Sequence, residues 1–484
     1  MNSALIASTI FAVAMVATIG IGILSGRGRK KTMTEWSVSG RGLGFIFVLV
    51  FMAGESYTSF SFLGSSGWAY DYGVPILFLI GYLCCGFIVA YVVGPLFWTY
   101  ANRHDLVCVS DIAEHRFNSR TLGVLVALLD TLFLIPYIQL ELQGMGITVE
   151  AMSYGAINPK IAAVVSFVVA ESFVVMSGLR GSAWVSVMKD TLVVACVVFL
   201  AIYLPLHYFD GINNFVTAMV DKKPEWLTFP GHGPKTFGSM WFVSTIILNA
   251  STIVIFPTTN SAYLSAKTPN AIRRNSIILP WYQILLMIPM MIGCMALFVV
   301  PHLKHSDLAL YSLVTNSLPA PIVGVVGVAG ALSSIVPISV FMLSIGTLWG
   351  RTILGGGIHA ESKPAIQDAR QRRVAQIVCI VVGVLALMGA LFMPSALVNL
   401  SVFSYEGMAQ LMPTILVALL WRSMSKEAAI AGIVMGEVAV LTLHYSGNDP
   451  FYGINGGLVA LVINLIVVVV VTTLQSPPRQ TRVE

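Results

Sequence analysis

The stretch Ala53-Gly54-Glu55-Ser56-Tyr57-Thr58-Ser59-Phe60-Ser61-Phe62-Leu63-Gly64 decides the reading of this chain. It interrupts an apolar helix with small residues and with the hydroxyls of Ser56, Thr58, Ser59 and Ser61. Hydrocarbon offers backbone N–H and C=O groups no partners, so an interrupted helix at membrane depth lines a cavity or binds something. Its hydroxyl and carbonyl oxygens suit a hard cation. The stretch points to an ion and solute site near the middle of a membrane carrier.

The surrounding composition places that stretch inside a bilayer. Of the 484 residues, 57% are hydrophobic and 10% are charged, where a soluble domain carries ~25% charged residues. Apolar runs long enough to cross a membrane recur about 13 times. They lie near 4–25, 43–66, 73–99, 122–149, 160–179, 183–206, 238–263, 276–300, 320–350, 374–393, 395–421, 427–445 and 454–474. The predicted fold is therefore all-α and polytopic. The first span lacks a basic leader and is followed by Arg27, Arg29, Lys30 and Lys31, which reads as an uncleaved span with the amino terminus outside. On that topology 20 of the 27 Lys and Arg residues fall in inner loops and 5 in outer loops, the bias that positive charge follows in a cell membrane. The expected location is the bacterial inner membrane, with a short cytoplasmic tail at 475–484.

No phosphate-binding loop, catalytic triad pattern or HExxH motif is present, so neither an ATP motor nor an enzyme is indicated. No clustered basic face or zinc pattern points to nucleic acid. The six cysteines have no metal or disulfide spacing. No organic cofactor and no obligate protein partner are expected; the partners implied are the bilayer and a small solute.

A second interruption follows five spans after the first. Asn249, Ser251 and Thr252 sit in the middle of the seventh span and Pro257 ends its first half. Paired broken helices of opposite direction are the mark of an inverted-repeat transporter with a midplane site. The chain then divides as one membrane domain, 1–484. An extra first span lies in 1–30, repeats cover 43–206 and 238–421, and two further spans occupy 427–474.

Four stretches, in order, resemble the sodium:solute symporter family, whose fold is that of the leucine transporter with a 5+5 inverted-repeat core. They are Phe62-Leu63-Gly64-Ser65-Ser66-Gly67-Trp68-Ala69-Tyr70, Ser177-Gly178-Leu179-Arg180-Gly181-Ser182-Ala183-Trp184, Ala329-Gly330-Ala331-Leu332-Ser333-Ser334, and Gln410-Leu411-Met412-Pro413 with Leu420-Trp421-Arg422 behind it. The resemblance implies a sodium site between the second and ninth spans. It would use carbonyls of Gly54, Tyr57 and Gly330 and hydroxyls of Ser333 and Ser334, with sodium as the coupling ion. The chain departs from the family turn at Ser186 and Lys189, where an acidic residue and a glutamine usually follow. Val336 and Pro337 stand one turn below the serine pair, which disfavours a second sodium. Lys189 reads either as a fixed cation where other members place an ion, or as a partner of Asp190.

The Ser-Gly-Leu-Arg-Gly turn and the Gly-Glu-x-Tyr break look most like bacterial monocarboxylate and acetate permeases. That resemblance implies a symporter of small acids such as pyruvate, lactate or acetate. The alternative is a sodium- or proton-coupled carrier of a neutral or zwitterionic solute, such as an amino acid, urea or a vitamin. The expected solute contacts are Ser56, Thr58, Ser59, Ser61, Tyr137, Gln139, Gln143 and Asn249. Gln139 and Gln143, four apart, share a helix face, with Glu141 expected to point elsewhere. Carboxylates inside spans are costly. Among them Glu55 is the first candidate should protons drive transport.

Overall fold

The computed structural model describes residues 3–25, 32–54, 56–358 and 364–475. Glu55 lies outside the described residues. Helices account for nearly all of the rest, and the only strand pairings among the described residues are isolated bridges at Leu43–Ala266 and Phe451–Ile454.

Among the described residues twelve helices are long and apolar enough to cross a bilayer; the broken segment 45–71 adds a shorter apolar helix, Phe45–Gly54, which we number with them. We number the crossings in chain order. They are α1 (Ser3–Ser25), α2a and α2b (Phe45–Gly54, Ser65–Asp71), α3 (Phe78–Arg103), α4 (Arg120–Met152), α5 (Pro159–Ser177) and α6 (Leu179–Phe209). Then follow α7a and α7b (Ser239–Thr252, Pro257–Ser265), α8 (Pro269–Val299), α9 (Ala320–Leu348), α10 (Pro364–Phe392), α11 (Leu397–Leu420), α12 (Lys426–Tyr445) and α13 (Gly456–Leu474).

Capping chemistry sets several boundaries. The Ser119 side chain accepts from the Leu122 N–H at the start of α4, and the Asn158 side chain accepts from the Lys160 N–H at the start of α5, where Pro159 fills the first position. Ser425 and Asn455 do the same for α12 and α13. Between α5 and α6 the chain reverses at Gly178, whose φ of 61° and close approach to the Trp36 carbonyl leave no room for a side chain.

The centre of the bundle is α9, with 94% of its most apolar window buried, against 28% for α13 at the edge. Residues 326 to 348 of α9 carry no charge and are buried throughout. With lipid as solvent, such a helix gains from close packing and interhelical hydrogen bonds rather than from exclusion of water. Two contacts fix its register against α6. Ser182 Oγ lies 2.7 Å from Ser339 Oγ, and Tyr203 Oη donates at 2.9 Å to the carbonyl of Ser317, at the end of the short helix Ala309–Ser317 that precedes α9. The two helices are thus antiparallel. Seven residues along each from the first contact, Lys189 comes level with Leu332.

Candidate functional site

The chain leaves helical geometry after Gly54 and regains it through a wide turn at Phe60–Gly64. The break is closed from within by one side chain. Ser61 Oγ donates to the Ser56 carbonyl at 2.6 Å and accepts from the Thr58 N–H at 2.9 Å. Another freed donor, the Ser59 N–H, reaches the Glu141 carboxylate on α4 at 3.0 Å. The carbonyls freed at Gly54 and Tyr57 accept from Lys189 Nζ on α6, the second at 3.0 Å. The groups named here thus find partners on another element or on Ser61, as a low-dielectric interior demands.

The second break spans 253–256, between α7a and α7b. Ile255 and Phe256 N–H groups fold back on the Thr252 carbonyl at 3.0 and 3.1 Å, and Asn260 Nδ2 holds the Ile255 carbonyl at 2.8 Å. Pro257 opens α7b, where its missing N–H costs nothing. Thr258 and Thr259 follow in the first turn, whose N–H groups lack intrahelical acceptors.

Between the two breaks lies a cavity of about 40 Å³. Its polar wall is Ser56, Thr58, Tyr82, Tyr137, Thr258, Thr259 and Tyr405; Met52, Phe60, Phe87, Phe256 and Phe341 supply apolar surface. Ring contacts hold the wall: Phe256 stacks on Tyr405 with centroids 4.6 Å apart, and Tyr137 packs edge-on to Phe256 at 5.4 Å. The Tyr82 and Tyr405 hydroxyls lie 3.2 Å apart, and Gln283 Nε2 donates to Ser56 Oγ at 2.7 Å. Among the described residues no charged side chain lines the cavity.

Of the solute contacts expected from sequence, Ser56, Thr58 and Tyr137 line this cavity and the others do not. Ser61 is spent on closing the break, and Ser59 Oγ lies 2.5 Å from Ser334 Oγ on α9. Gln139 donates to the Met393 carbonyl at 2.7 Å, and Gln143 borders a separate cavity of about 630 Å³ with Glu150, Lys160 and Asp307. Helical geometry explains the displacement. With Tyr137 facing the cavity, a residue two positions on is turned by ~200°. The same geometry brings Glu141, four residues after Tyr137, back to the broken helix, where it meets Ser59 rather than pointing elsewhere. Asn249 is buried one turn before the second break and does not reach the cavity wall. Thr258, Thr259 and Tyr82 line the cavity although the sequence reading did not name them. The threonines had a signal, since they follow the helix-opening Pro257.

The five residues expected to hold sodium fall on facing elements. Gly330 and Ser333–Ser334 lie on α9 at the level of Lys189, opposite the first break. Ser333 Oγ donates to the Ala329 carbonyl at 2.9 Å, and Ser334 Oγ reaches the Gly330 carbonyl at 3.3 Å as well as Ser59. Lys189 is fully buried, and its ammonium lies 3.8 Å from Asp190 Oδ1 besides the two carbonyls it serves. As arranged, the set does not fit a free metal ion. Two of its five oxygens already face a positive charge, and a second cation there would meet like-charge repulsion.

Two broken helices around a small polar cavity, in a bundle whose described residues hold twelve helices long enough to cross a bilayer, are the architecture of a secondary transporter. The model of the sodium:solute symporter family matches residues 36–436. The uncharacterized symporter YhjB of Bacillus subtilis is 36% identical over 98% of this chain and 97% of its own length. The monocarboxylate transport permease protein of Rhizobium johnstonii is 24% identical over 98% of this chain and 97% of its own. A sodium-coupled sialic acid symporter, solved substrate-bound and outward-open, shares the fold with a TM-score of 0.81 at 16% identity, covering 99% of both chains. The chain belongs to the sodium:solute symporter family. It is a transporter and not an enzyme.

Proposed function

We propose that this carrier takes up a small organic monocarboxylate of the pyruvate, lactate or acetate type. It would work from the bacterial cell membrane, with the amino terminus outside. The observation that carries this reading is the cavity between the two breaks. At about 40 Å³ the cavity is small, so a solute of few heavy atoms requires the least opening of its walls. Its wall has hydroxyls but no arginine clamp, which matches one delocalised negative charge better than two.

The recognition chemistry follows from the two breaks. Ser56, Thr58, Thr258 and Thr259 offer hydroxyl donors to a carboxylate. The first turn of α7b adds unpaired N–H groups at the positive end of a helix dipole. The methyl or short alkyl end of the solute would rest on Phe60, Phe87 and Phe256. Ser56 and Thr58 flank Tyr57, whose carbonyl faces Lys189, so the broken strand of chain separates the cavity from a fixed positive charge. That charge favours an anion in the cavity, and a solute that straightens either break changes which side the cavity opens to. Sodium gives the family its name; in this chain the Gly54 and Tyr57 carbonyls carry an ammonium.

Uptake of [14C]pyruvate into proteoliposomes, with sodium and pH gradients imposed separately, tests this reading. Competition by acetate and lactate, but not by proline, urea or pantothenate, is expected. Inhibition by proline or urea alone would replace it with the neutral or zwitterionic alternative.

A further inference from the structure

We propose that Lys189 is a tethered cation that takes the place of the family's sodium ion between the broken helix α2 and the central helix α9. This rests on family membership and not on the identity of the solute. Four observations carry it. The ammonium donates to the carbonyls of Gly54 and Tyr57, the two oxygens that the first break exposes toward α6. It is fully buried, so no water shares the work of solvating it. The antiparallel register of α6 and α9 sets it level with Leu332, between Gly330 and Ser333. And Ser334 on α9 lies 2.5 Å from Ser59 of the broken helix, oxygen to oxygen, so the two elements close on each other directly there.

A buried lysine is retained only where partners offset the loss of water. Here those partners are carbonyl dipoles, neutral and convergent, with the Asp190 carboxylate at 3.8 Å beside them. Carbonyls of an unwound helix are the ligands such folds offer to sodium. The ammonium and the ion carry equal charge and ask for the same oxygens. The difference is connection. A sodium ion arrives and leaves with each cycle, whereas Lys189 stays attached to α6 and cannot carry charge across the membrane. The sodium gradient then performs no work through this cage, and its closure between α2 and α9 is built into the sequence. Gly54 shows how closely the group is fitted, since a Cβ there would overlap the Asp190 carboxylate.

The test measures sodium binding without any solute, so it stands apart from the uptake reading. Binding of 22Na+ to the purified protein, by scintillation proximity, is compared among the wild type, Lys189→Ala, and Lys189→Ala combined with Ser333→Ala and Ser334→Ala. The wild type should show no saturable sodium binding that depends on Ser333 and Ser334. Lys189→Ala should gain it, with affinity at least about a hundredfold higher because a unit charge at contact distance is gone. The triple variant should lose it again. Should Lys189→Ala fail to fold, the wild type alone decides through its melting temperature in sodium chloride against potassium chloride. No difference, or a sodium shift that survives Ser333→Ala with Ser334→Ala, supports the tethered cation. A sodium shift abolished by those two changes overturns it, as does wild-type binding equal to that of Lys189→Ala.

Discussion

Replacing Lys189 by methionine, which keeps the length of the stem and removes the charge, should destabilise this protein severely, and the cause should be its neighbour. At 3.8 Å and an effective dielectric of ~20, Lys189 and Asp190 attract by about 4 kcal/mol. Both Asp190 oxygens are buried with no hydrogen-bond partner among the described residues, so the lysine is the compensating charge the carboxylate has. Removing it leaves an unpaired buried carboxylate, a change that costs about 3–5 kcal/mol. Asp190→Asn should be milder, since the ammonium keeps the Gly54 and Tyr57 carbonyls. The double variant Lys189→Met/Asp190→Asn should recover most of the loss. The assay is thermal unfolding of the detergent-purified protein followed by tryptophan fluorescence, for the wild type and all three variants. A double variant as unstable as the sum of the singles would refute the reasoning, because it would mean that the two charges do not act on each other.

Other consequences concern the cavity and its supports. Thr259→Val should raise the KM for [14C]pyruvate about tenfold through the loss of one charge-assisted hydrogen bond, while Gln139→Ala, which touches α10 and not the cavity, should leave KM unchanged. Ser334→Ala should cost about 1 kcal/mol through its contact with Ser59, read by the same unfolding assay, and Ser59→Ala added to it should cost little more. Asp307, in the loop before α9, is pushed up to about 6 by burial and by the nearby Asp71. Its folded form thus holds a proton more tightly than the unfolded chain, so its contribution is full below the ordinary value of 3.8 and is lost as pH rises through 6. At pH 7 Asp307→Asn should therefore be the more stable protein, by about 3 kcal/mol at most, with the gap closing as the pH falls toward 4.

The two breaks were legible in the sequence because the bilayer is an unforgiving solvent. Gly54 with four hydroxyls, and Asn249 to Pro257, are segments that hydrocarbon would not accept as plain helix. Polarity marks a break without saying which polar groups repair it and which line the space it opens. Ser61 and Ser59 look like Ser56 and Thr58 in sequence, yet the first closes the turn and the second bonds α9. Spacing on α4 held more than was drawn from it. Gln139 and Gln143 do share a face, but Tyr137 and Glu141 share the one that meets the break. Lys189 stood out as a departure from the family turn, and its destination did not. The packing of α6 on the broken helix brings its ammonium to a carbonyl 132 residues away in the chain.

The central claim is that the solute binds between the two breaks. Direct binding of [14C]pyruvate to the purified wild type and to Thr58→Val/Thr259→Val tests it without reference to any gradient. Saturable binding in the wild type that disappears in the double variant, with folding intact, is the predicted result. Undiminished binding in that variant would contradict it.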